Sequence, residues 1–109
     1  MLTQGEDLLF AASAAGDAQA LRRLLESGAS ASDPDQNGRT ALMAASYAGH
    51  VECVALLLKD AGNVNSADNT GVTALLLASL AGREECVRAL LEGGANVGQA
   101  RQDGWTALM

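Results

Sequence analysis

The chain repeats itself every 33 residues, and this period limits what it can fold into more than any other feature. Residues 38–70 and 71–103 are identical at sixteen of thirty-three positions. The phase runs to both ends: Gly5, Gly38, Gly71 and Gly104 fall in it, and so do Leu9, Leu42, Leu75 and Leu108. Gly16, Gly49 and Gly82 form a further series, as do Leu24, Leu57 and Leu90. The 109 residues therefore make one domain: an N-terminal unit over 5–33, units over 35–67 and 68–100, and the opening of another over 101–109.

Each unit carries the same local signals. Thr40, Thr73 and Thr106 stand just before Ala/Leu runs. A hydroxyl there can accept from the amides that a helix start leaves unpaired. Asp7 holds the matching place in the first unit. In the second unit the first helix is predicted over 41–48 and ends at Gly49, since glycine takes the positive φ that closes a helix. A second helix over 50–59 sets Val54, Leu57 and Leu58 at i, i+3 and i+4, on one face. Leu21, Leu24 and Leu25 repeat that face, as do Val87, Leu90 and Leu91. Gly28, Gly62 and Gly94 stop the second helices, and Asn37-Gly38 marks a tight reversal before the next unit.

Two short helices cannot bury their apolar face alone, but stacking on neighbours buries it. Ala12, Ala45 and Ala78, with Ala15, Ala48 and Ala81, offer small side chains for close approach. Hydrophobic residues make up 49% of the chain and aromatics only 3%, which fits closely stacked helices better than a broad sheet. The fold class predicted is an all-α repeat solenoid of helix–turn–helix units.

The run Asp35-Gln-Asn-Gly-Arg-Thr-Ala-Leu-Met-Ala-Ala-Ser-Tyr-Ala-Gly-His-Val-Glu-Cys-Val-Ala-Leu-Leu-Leu resembles an ankyrin repeat, whose pattern reads D-x-x-G-x-T-P-L-H-x-A-A-x-x-G-H-x-x-V-V-x-L-L-L. The resemblance covers nearly the whole chain. It implies stacked helix pairs joined by β-turn fingers, curved so that the concave side binds proteins. Two departures recur: Ala41, Ala74 and Ala107 replace the pattern's proline, while Met43, Leu76 and Met109 replace its histidine. Proline in the first helical turn would restrict the unfolded chain, and its loss leaves that chain freer. Weaker capping and a more apolar first-helix surface are the expected results. His50 sits at the pattern's Gly-His position, which implies a packing role. The first unit reads as a terminal cap, with Arg23 where the second unit has Leu56 and Glu6 and Asp7 near its helix start.

The resemblance also implies where partners would touch, namely the fingers and the two residues before the first-helix glycine. The finger positions are Gln36, Asn37 and Arg39; Asn69, Thr70 and Val72; and Gln102, Asp103 and Trp105, with polar Thr3, Gln4 and Glu6 in the first unit. The helix positions are Ala14 and Ala15, Tyr47 and Ala48, and Leu80 and Ala81. Among them Arg39, Val72 and Trp105 replace one another, as do Ala14, Tyr47 and Leu80, while the frames of the units agree. The one Trp and the one Tyr both fall among them, and Trp, Tyr and Arg are the types most enriched at interface hot spots.

Other chemistry finds no support. A net charge of −6, with Lys and Arg scattered, supplies no basic face for nucleic acid, and an acidic surface favours a basic protein partner. No apolar run reaches membrane-spanning length. The opening MLTQGED carries acid where a secretion signal carries base. Two cysteines do not make a disulfide scaffold, so an intracellular location, cytoplasmic or nuclear, is expected. Cys53 and Cys86 lie one repeat apart and read as core residues. No metal-ligand spacing, catalytic triad or phosphate-binding glycine motif is present, so no enzyme activity, metal or cofactor is expected. Three roles fit: an interaction module of an adaptor or scaffold, a regulatory domain ahead of a catalytic one, or a free-standing small inhibitor. The sequence stops inside the predicted helix of a fourth unit, as expected of a piece of a longer protein. Were Met109 the true end, the third unit's open face would favour end-to-end self-association.

Overall fold

The computed structural model describes residues 4–60 and 64–96. Their helices come in pairs: α1 (Gln4–Ala15) with α2 (Ala18–Glu26), α3 (Ala41–Ala48) with α4 (Val51–Asp60), and α5 (Ala74–Leu80) with α6 (Glu84–Glu92). Helices α1, α3 and α5 pack side by side as an inner layer, and α2, α4 and α6 form the outer one. Among the described residues there is no strand, only an isolated antiparallel bridge between Ala67 and Thr73 that closes a turn.

Local chemistry sets the helix limits. Thr40 and Thr73 are extended, and their hydroxyls accept from the Met43 and Leu76 amides at 3.4 and 3.3 Å. Gly49 ends α3 at φ +83°, its amide donating to the Ala45 carbonyl. At the outer layer, Asp17 caps α2 by accepting from the Ala20 amide. Gly28 and Gly94 follow α2 and α6 as expected, while Gly62 lies outside the described residues.

The first unit departs from expectation. Helix α1 begins at Gln4, so Asp7 lies inside the helix rather than at its cap, and Gln4 and Glu6 are helical rather than part of a finger. The cause is local. Position 2, which is in phase with Asp35, is a leucine, so no carboxylate is there to fold a turn. Thr3 lies outside the described residues.

The core follows the repeat. Leu9, Leu42 and Leu75 are buried, as are Ala12, Ala45 and Ala78. Leu21, Val54, Leu57 and Leu90 supply the outer layer's inward face, and each fully buried aliphatic side chain contributes about 2 kcal/mol. The second alanine series is not core: Ala15 is exposed, and Ala48 and Ala81 are half-buried. Leu91, in phase with the half-buried Leu25 and Leu58, is exposed. Met43 and Leu76 are buried, so replacing the pattern's histidine fed the core rather than making the surface more apolar.

Candidate functional site

The loops before α3 and α5 are two copies of one carboxylate-organised turn. Asp35 Oδ1 accepts from the Asn37 and Arg39 amides at 2.8 and 2.9 Å. Asp68 Oδ1 accepts from the Thr70 amide (2.8 Å), the Thr70 hydroxyl (2.7 Å) and the Val72 amide (3.0 Å). Burial alone would raise the Asp68 pKa. The bonds from Thr70 and Val72 and the positive charge of Arg39 outweigh it and hold the carboxyl below its usual 3.8.

The two turns are also bonded to each other. The Asn69 amide donates to the Asn37 carbonyl at 2.9 Å, and the Asn69 side-chain amide donates to the Gln36 carbonyl at 3.1 Å. A Cβ on Gly38 would lie 2.7 Å from the Asn69 side-chain oxygen, and φ there is +78°. Glycine is required both by the turn and by the neighbouring finger's approach.

The helices are tied in the same stepwise way. His50 Nε2 lies 3.1 Å from the Ala14 carbonyl, which requires Nε2 to carry the proton. One repeat later, Arg83 Nε donates to the Tyr47 carbonyl at 3.2 Å. Gly16 and Gly49 leave the room: a Cβ at either would lie 2.5 Å from His50 or 2.7 Å from Arg83. His50 is thus a strut between units.

Fingers and inner helices together wall a groove of about 660 Å³. Phe10 and Ala14 line it from α1, Met43 and Tyr47 from α3, and Leu77 from α5. Asp35 and Arg39 contribute from one finger, Asp68, Thr70 and Val72 from the next. Tyr47 is 58% exposed, a large aromatic surface open to contact. A shallower depression of about 570 Å³ lies over α5 and α6 at Arg83, Val87 and Leu91, on the stacking face of the third unit.

The residues singled out from sequence separate into groups. Arg39, Tyr47, Thr70 and Val72 come together in the groove. Leu80, half exposed on α5, lies outside its lining. Asn37 and Asn69 are at the finger tips and bond to one another. Asp103 and Trp105 lie outside the described residues. Sequence reasoning missed Phe10, Asp35, Met43, Asp68 and Leu77. Phe10 had a usable signal: it is the one phenylalanine and is in phase with Met43.

Among the described residues, no group of three or more His, Cys, Asp and Glu could hold a metal ion. Cys53 and Cys86 are free and buried. Burial raises both thiol pKa values, with Glu52 and Asp17 adding to the effect at Cys53. At Cys86, Arg83 opposes the rise and Glu85 adds to it. Raised thiols are poor nucleophiles.

Comparison with protein families decides the identity. The model for ankyrin repeats matches three copies over residues 8–101. The chain belongs to the ankyrin-repeat family. Ankyrin repeats are in general protein–protein interaction modules and typically carry no catalysis. A search of curated proteins finds no match. No described helix of this ankyrin domain is long and apolar enough to cross a membrane.

Proposed function

We propose that this ankyrin domain is the partner-binding part of an intracellular adaptor or scaffold and grips a protein through the groove and fingers. The supporting observation is the groove itself. Phe10, Tyr47 and Leu77 give it an apolar floor over the buried Met43, and Arg39, Thr70 and Val72 form a rim of varied chemistry. An apolar centre with a polar rim is the anatomy of a protein interface. Tyr47 is the anchor, being an aromatic with two rotatable side-chain bonds and much of its surface still to bury. Free, buried thiols are in keeping with a reducing compartment.

Proximity labelling in cells tests this with the full protein and its Tyr47→Ala, Val72→Ala double variant, checked for an unchanged far-UV CD spectrum. Loss of an aromatic hot spot costs about 2 kcal/mol, roughly thirtyfold in affinity. A set of neighbours should disappear with the double variant and survive an Arg22→Ala control on α2. If both variants keep the same neighbours, the groove is not the site.

A further inference from the structure

The charged lining of the groove is acidic on balance. Arg22, Arg23, Lys59 and Arg88 sit on the outer helices, and Arg83 stands at the start of α6. These are five of the seven Lys and Arg residues. The charged residues lining the groove are Asp35, Asp68 and Arg39, and the charge of Arg39 acts on Asp68. Each aspartate spends Oδ1 on its own finger. Among the described residues, the second oxygen of each has neither a hydrogen-bond nor an ion-pair partner. Both aspartates are partly exposed in the groove lining, where water can reach them.

A partner laid over the apolar floor would strip that water away. A neutral or acidic segment would return nothing for it, and a carboxylate left dry and unpaired is costly. A cation restores the balance. We propose that the groove takes a partner segment in which an apolar side chain stands beside a Lys or Arg. The apolar group seats on Phe10, Tyr47 and Leu77, and the cation meets the unpaired oxygen of Asp35 or Asp68. This rests on the groove being the partner site, and it makes the specificity one of basic–apolar pairing. Arg meets a carboxylate with two parallel bonds and Lys with one, so Arg is preferred.

The test is selection of a random dodecapeptide phage library on the immobilised chain, with recovered peptides measured by fluorescence anisotropy. The expected winners pair Arg or Lys with Leu, Ile, Phe or Met. They should bind about fivefold more weakly to the Asp35→Asn, Asp68→Asn double variant, which keeps the Oδ1 acceptors but loses the charge. They should also weaken on Tyr47→Ala. Winners that depend on Tyr47 but are acidic or uncharged overturn the pairing rule and leave the groove standing. Winners indifferent to Tyr47→Ala, or no winners at all, overturn the groove and the rule together.

Discussion

Ser46 lies in the middle of α3, fully buried, and its hydroxyl has no hydrogen-bond partner among the described residues. Ser13 occupies the same place one repeat earlier, is equally buried, and donates to the Leu9 carbonyl at 2.8 Å. A buried unpaired hydroxyl costs about 1–3 kcal/mol. Ser46→Ala removes that cost, and alanine adds a few tenths through helix propensity. Against this stands a void on the order of 10 Å³, worth roughly 0.2 kcal/mol. The sum is a gain of about 1–3 kcal/mol, and each kcal/mol raises Tm by roughly 4–8 °C for a domain of this size. Ser13→Ala loses a made bond of about 1 kcal/mol and regains part of it through propensity, so it should not stabilise. Urea unfolding followed by far-UV CD at a common m value measures both. If Ser46→Ala is no more stable than wild type, or shifts as Ser13→Ala does, the hydroxyl is bonded in solution and the reasoning fails.

Further consequences follow from the frame. Thr73→Ala should destabilise by about 1 kcal/mol through loss of the Leu76 cap, whereas Thr73→Ser should keep most of it; equal unfolding midpoints for the two would refute the cap. Gly49→Ala should cost at least about 1–2 kcal/mol from left-handed strain alone, and also push Arg83 off the Tyr47 carbonyl, seen as a shifted Arg83 Nε–H resonance. The Asp68 carboxyl is held below its unfolded value of 3.8, so the ionised finger stabilises the fold above that pH and the contribution fades as acid takes the pH through the lower folded value. An NMR titration of the Val72 amide should show a midpoint below 3.8, and one at or above it would contradict the finger geometry.

The parts of the molecule legible in the sequence are those fixed within a few residues. The α3 limits, the Thr40 and Thr73 caps and the Gly49 stop come from side chains acting on the nearest turn, and the structure has them where the residues place them. Features made by neighbouring units were not legible. The His50 and Arg83 struts span 36 residues each, and nothing local to either end announces them. Asp35 and Asp68 matched the repeat pattern, but that their carboxylates knit each finger and also line the groove depends on how fingers stack. Met43 illustrates the limit. A lost histidine read as a more apolar surface, yet burial between units turned the substitution inward. Leu80 and Tyr47 hold the same repeat position; the finger of the next unit closes a groove around Tyr47, while the finger in phase beyond Leu80, residues 101–105, lies outside the described residues.

Hydrogen exchange with and without a recovered protein partner tests most directly whether the inner face is the binding face. Protection should appear over 35–48 and 68–80, covering the fingers, α3 and α5, while α2, α4 and α6 exchange unchanged. Protection confined to the outer helices, with the amides of Arg39, Tyr47 and Val72 unaffected, would contradict it.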